Sequence, residues 1–163
     1  KMPGSVKPPK IIHIISIIYK IGIIITGKII DKFSITFKKG QIVNYNAEVG
    51  YDTLKQLIET DKGTSRLGEV ALIGKNSPSA QSRVLFYNTL FDENASCHLA
   101  IGKAYPTTVN YGNQMNKQEL KKHGVNDSIE HVDFMIGTED LSVTGITYDG
   151  KRIEVFRDGE WVI

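Results

Sequence analysis

The 163-residue chain has one cysteine, Cys97, and one tryptophan, Trp161, and no acidic residue precedes Asp31. A lone cysteine excludes an intrachain disulfide and fits a reducing, cytoplasmic setting. Gly-rich phosphate loops are missing, which sets nucleotide enzymes aside. With a formal net charge of +2 and 23% charged residues, the composition does not suit a dedicated nucleic-acid binder or a membrane protein. The length suffices for one compact core.

What is present is unevenly spread. Residues 1–30 hold 12 of the 22 isoleucines and five lysines, whereas residues 31–163 carry 15 Lys and Arg against 18 Asp and Glu. The run Ile11 to Ile30 is interrupted by His13, Lys20 and Lys28. It also lacks a small-residue cleavage site, so it reads neither as a spanning helix nor as a signal peptide. Its β-branched residues favour strand.

From Asp31 on, alternation over Phe33, Ile35 and Phe37, the pair Lys39-Gly40 and renewed alternation over 42–49 predict a β-hairpin. Leu54, Leu57 and Ile58 are spaced for a short helix over 51–60, stopped at Lys62-Gly63. Strands are expected at 69–73 and 84–87, with a loop over 76–82 between them. The stretch 90–104 is expected to be helical in its second half, capped by Asn94 or Ser96 and broken by Tyr105-Pro106. An irregular stretch over 107–116 precedes a basic helix at 117–123, read as a solvated face. Three apolar runs, 131–136, 141–148 and 153–163, are joined by hairpin turns at Asp149-Gly150 and Asp158-Gly159, with Trp161 as core packing. The expected class is α+β: a mixed, largely antiparallel sheet with a few short helices and a C-terminal strand meander.

Two segments concentrate ligand-type side chains. His131 and Asp133 lie two apart on a strand, so both leave the same face and can share a cation. Taken alone, His-x-Asp is also the pattern of a polar pair at a sheet end. Glu93 and His98 form the second group; singly, the first suits a helix start and the second a core histidine. Glu69 opens an apolar strand, where a buried carboxylate needs a cation or hydrogen-bond partners. Together, two histidines and three carboxylates suit Zn, Co, Mn or Mg rather than a thiolate-rich structural zinc site. His13 and His123 have no ligand-type neighbours at useful spacing.

These residues sit in longer blocks: 66–72 (RLGEVAL), 85–100 (LFYNTLFDENASCHLA), Tyr105-Pro106, 131–137 (HVDFMIG) and 156–161 (FRDGEW). Over 30–163 the chain closely resembles the C-terminal part of the thermophilic-type metallo-aminopeptidases, family M29. The resemblance implies a cytoplasmic enzyme that removes N-terminal amino acids from peptides with a free N-terminus, using two divalent metal ions. It also implies a homodimer in the full-length form and no nucleic-acid or membrane partner. By motif, Glu69, Glu93, His98, His131 and Asp133 match metal ligands, with Glu69 as a bridge. Tyr105 matches an active-site tyrosine whose hydroxyl stabilises an oxyanion.

The resemblance fails upstream. Family members carry a Met-Pro-Thr-Glu-Glu block that supplies a further glutamate ligand, whereas here Met2-Pro3 is followed by Gly4-Ser5-Val6. The expected organisation is therefore an atypical Ile/Lys-rich segment over 1–30 and a catalytic-domain portion over 31–163. Residues 4–26 have the signature of translation in a shifted reading frame; the competing reading is a genuine Ile-rich β segment. Two functional expectations follow: a truncated aminopeptidase, or a catalytically inactive remnant that acts as a folding or dimerisation module.

Overall fold

The computed structural model describes residues 15–18, 23–84, 89–147 and 149–163. Most of the segment 4–26, the core of the expected strand at 84–87 and Tyr148 lie outside these residues. Three antiparallel sheets carry the fold, and every strand pairing among the described residues is antiparallel.

The first sheet is built on β3 (Lys28–Lys38), an eleven-residue strand. On it lie β1 (Ile15–Ile18), β2 (Ile23–Ile25) and β4 (Gln41–Val49). The isoleucine-rich stretch is thus strand at 15–18, 23–25 and 28–30, as β-branching favours, with a turn at Thr26-Gly27. The β3–β4 turn places Lys39 and Gly40 at φ 53° and 73°, the two left-handed positions a two-residue hairpin needs. Helix α1 (Tyr51–Ile58) follows and buries Leu54, Leu57 and Ile58 against this sheet.

The second sheet has the order β5 (Leu67–Ala71), β6 (His98–Gly102), β7 (His131–Met135). Here the structure departs from expectation: the second half of 90–104 is strand, not helix. Helix α3 (Thr89–Asp92) and one 3-10 turn (Glu93–Ala95) end at Ser96, whose φ and ψ of −153° and 153° already belong to an extended chain. The cap-like residues therefore close a helical turn instead of opening a helix. All five residues of β6 are buried, and such a short apolar run carries no periodicity that separates strand from helix.

A second departure is helix α2 (Pro78–Ser82), formed where a loop was expected, with the Ser77 side chain accepting from Ala80 N and proline at the first helical turn. The basic helix α4 (Lys117–Lys122) is capped reciprocally by Asn116 and Glu119.

The third sheet is the C-terminal meander β8 (Val143–Ile146), β9 (Arg152–Arg157), β10 (Glu160–Trp161). Trp161 is not core: it is 44% exposed and sets its ring edge against the fully buried Phe156 at 4.5 Å.

The main core lies between the first two sheets. Ile30, Phe33, Ile35 and Phe37 of β3 meet Leu99 and Ile101 of β6 and Phe134 of β7, with Phe33 and Phe134 edge to face at 5.8 Å. The second sheet spends one face on this core, and its other face carries a different set of side chains.

Candidate metal centre

Strand alternation decides what occupies that other face. On β6, Leu99 and Ile101 point into the core, so His98, Ala100 and Gly102 point away from it. Residues directly opposed across an antiparallel ladder share a face. Ala100 is opposed by Glu69 on β5 and by Asp133 on β7, and Gly102 is opposed by His131. The centre of this face is therefore floored by small residues and rimmed by His98, Glu69, His131 and Asp133.

Glu69 reaches this face because of a register shift. Leu67 pairs with Ile101 on the core side, yet Glu69 pairs with Ala100 on the other, so Gly68 is an extra residue in β5. Without that bulge, Leu67 and Glu69 would share a face.

The side chains converge. Glu69 Oε1 lies 3.4 Å from His98 Nε2, and its Oε2 lies 3.6 Å from His131 Nε2. Asp133 Oδ1 is 3.3 Å from His131 Nε2. Two three-residue groups have ligand atoms within 4.8 Å of one another: Glu69, His131 and Asp133, and Glu93, His98 and Asp133. The structure thus brings together all five expected ligand residues. Tyr105, 46% exposed, packs its ring on His131 with centroids 4.8 Å apart.

Both imidazoles are oriented from behind. His98 Nδ1 is 3.0 Å from the Ser96 carbonyl, and His131 Nδ1 is 2.7 Å from the Lys103 carbonyl. A carbonyl only accepts, so each Nδ1 donates, and both Nε2 atoms face the cluster; metal-ligating histidines are commonly held this way. Residue types do not reveal these carbonyl partners, so sequence reasoning had no signal for Ser96 or Lys103.

Two further observations fit a cation. Asp133 Oδ1 is buried without a hydrogen-bond partner, which is costly for a carboxylate lacking a counter-charge. Burial, reinforced by the charges of Asp133 and Glu69, pushes the Glu93 carboxyl above its usual range. The Asp133 carboxylate, 3.3 Å from its Nε2, raises His131 to about 9 against the opposing effect of burial. The donor set of two imidazoles and three carboxylates, with no thiolate, suits a borderline or hard divalent ion. Cys97 stands apart: it is buried, exchanges hydrogen bonds with the backbone of Ile73, and its thiol is pushed up by burial.

The chain is similar to known proteins over most of its length. Residues 17–161 match the family model described as "Thermophilic metalloprotease (M29)". The chain is 58% identical to Aminopeptidase 2 of Geobacillus stearothermophilus over 135 residues, which are 83% of this chain and 33% of that protein. It is 41% identical to Aminopeptidase T of Thermus aquaticus over 139 residues, or 85% of this chain and 34% of that protein. Among solved structures, wild-type AmpT from Thermus thermophilus superposes with a TM-score of 0.76 at 36% identity, covering 91% of this chain and 36% of that one. The chain therefore spans about a third of the length of the curated relatives it matches. A match over almost its whole length, on blocks that carry the clustered side chains, places the chain in the M29 family of thermophilic metalloproteases.

Proposed function

We propose that the chain is the metal-binding portion of a metal-dependent aminopeptidase that hydrolyses peptides with a free N-terminus. The observation that carries this reading is the convergence of Glu69, Glu93, His98, His131 and Asp133 on one sheet face, with Asp133 common to both groups. We assign Glu69, His131 and Asp133 to one divalent ion and Glu93, His98 and Asp133 to a second, with Glu69, whose two carboxylate oxygens lie beside His131 and His98, as the expected bridge between them. Zn, Co, Mn and Mg all accept such donors. When bound, paired ions polarise a peptide carbonyl and lower the pKa of a water.

The protein's own groups do the rest. The Ser96 and Lys103 carbonyls hold the imidazoles so that Nε2 needs no reorientation. Tyr105, fixed beside His131, supplies a hydroxyl that donates to the oxyanion of the tetrahedral intermediate. Among the described residues no helix is long and apolar enough to cross a membrane. We assign the full-length protein to the cytoplasm, as a homodimer.

The second reading is a catalytically inactive remnant. It is favoured by the absence of any carboxylate before Asp31, where the resemblance calls for a further glutamate. Metal content of the purified chain, measured beside hydrolysis of a leucyl chromogenic substrate, separates the two. Two ions with turnover establish the enzyme; bound metal without turnover establishes the remnant; a folded chain with no metal overturns the metal-centre assignment itself.

A further inference from the structure

A second polar cluster joins the segments 61–64 and 126–130, the latter running directly into His131. Asp61 follows α1, and its carboxylate accepts from Gly63 N and Thr64 N at 2.7 Å and from Ile129 N at 2.8 Å. It also accepts from the hydroxyls of Thr64 and Ser128 at 3.0 and 2.9 Å. Ser128 Oγ in turn accepts from Glu130 N at 3.2 Å. Asn126 completes the cluster: its side-chain Nδ2 donates to Gly63 O at 2.8 Å and to Gly102 O at 2.6 Å, while its backbone carbonyl accepts from Ala104 N at 2.9 Å.

These bonds converge on two successive peptides: Gly102–Lys103, whose carbonyl accepts from Asn126 Nδ2 and whose N–H donates to Glu130 O at 2.6 Å, and Lys103–Ala104, whose N–H donates to the Asn126 backbone carbonyl. The Lys103 carbonyl is the acceptor that fixes His131 Nδ1. The chain leaves β6 at Gly102 with φ +97°, and a Cβ there would run into the Glu130 carbonyl. From the other side, Gly68 is packed so closely that a Cβ would meet the carbonyls of Gly102 and Lys103. The Lys103 peptide is thus clamped between the Leu67-Gly68-Glu69 bulge and the 126–130 loop.

We propose that Asn126, seconded by Asp61 and Ser128, is a positioning residue for the metal centre: it fixes the Lys103 carbonyl, which holds His131 Nδ1 and so aims Nε2. The hydrogen bonds of Asn126 go to Gly63, Gly102 and Ala104, so it acts on His131 through the backbone and not by direct contact. In its metal consequence this rests on the centre proposed above, but its geometric part does not.

The test compares two imidazole N–H protons in the same chain by solvent exchange in 15N NMR. His131 Nδ1–H depends on Lys103, whereas His98 Nδ1–H depends on Ser96 and serves as internal reference. In Asn126→Asp, which keeps the shape but removes both Nδ2 hydrogen bonds, His131 Nδ1–H exchanges at least roughly tenfold faster, as loss of the bond to Gly102 O alone implies, and His98 Nδ1–H is unchanged. Zn2+ affinity, titrated with the metal alone, falls about tenfold, as expected for loss of an outer-layer partner. Should Asn126→Asp fail to fold, Ser128→Ala, which loosens Glu130, carries the same comparison with a smaller acceleration.

Equal acceleration of both protons would mean that the cluster only supports the fold, and no change in either would mean that His131 is held without it. Either result overturns the proposal. If the wild-type chain binds no Zn2+, the metal centre fails, and the exchange comparison still decides the positioning role.

Discussion

Substituting Ala100 by valine tests the layout of the centre most directly. Ala100 is fully buried and is opposed on either side by Glu69 and Asp133. Directly opposed Cβ atoms on one sheet face lie about 4.5–5.5 Å apart. Valine's two added methyls therefore enter the space where the carboxylates converge, and overpacking of this kind costs about 1–3 kcal/mol. If that strain is relieved only by moving ligands off the metal, it weakens metal binding roughly 5- to 150-fold.

Ile101→Val is the control from the next residue on the same strand. Ile101 is 1% exposed and faces the core, so losing a methyl costs about 0.5–1.5 kcal/mol of stability and leaves the metal-ligand face untouched. Urea unfolding of the metal-free chain and Zn2+ competition against a chromophoric chelator give both quantities. The expected outcome is a crossover: Ala100→Val loses affinity at nearly full metal-free stability, and Ile101→Val does the reverse. Unchanged affinity in Ala100→Val, or an equal loss in both variants, would refute the assignment of the two faces.

Phe134→Ala removes a ring that is 1% exposed and paired edge to face with Phe33. It should cost about 3–5 kcal/mol in urea unfolding. That is a large share of a small domain's stability. Asp61→Asn tests the pH dependence of folding. Backbone donation from Ile129, then from Thr64, holds the Asp61 carboxyl well below the usual carboxylate range, and burial opposes this only in part. A carboxyl depressed on folding contributes stability that is present above its unfolded pKa of about 3.9 and is lost as pH falls further. The variant should therefore be less stable than wild type at neutral pH, with a gap that narrows on acidification; a gap constant with pH would contradict the charge-based role.

Local chemistry made much of the fold legible. Lys39-Gly40 and Asp158-Gly159 adopt the left-handed turns that their residue types favour, and Leu54, Leu57 and Ile58 bury the stripe that their spacing implies. β6 was illegible because Leu99, Ala100 and Ile101 are buried whichever way they face, and alternation then leaves no trace in the sequence. Helix α2 did leave a signal, Ser77 followed by Pro78, hidden by a composition that also suits a loop. The five ligand-type residues were legible by type and by family resemblance, and the structure adds their convergence and the orphaned Asp133 oxygen. The Asp61, Asn126 and Ser128 cluster had no local signal, since Asp61 meets Ser128 across 67 positions and Asn126 meets Gly63 across 63.

The alternation along β6 carries one more consequence. Because successive residues of this strand face core and metal-ligand side in turn, a slip of one position in its pairing would send Leu99 and Ile101 toward the carboxylates and His98 into the core. Many sheets penalise such a slip only through exposed apolar groups. Here the misregistered state would also bury an imidazole among aromatic rings and strand Glu69 and Asp133 opposite aliphatic side chains. Folding fidelity and the assembly of the centre are thus enforced by the same five residues, and errors in one cannot accumulate without destroying the other.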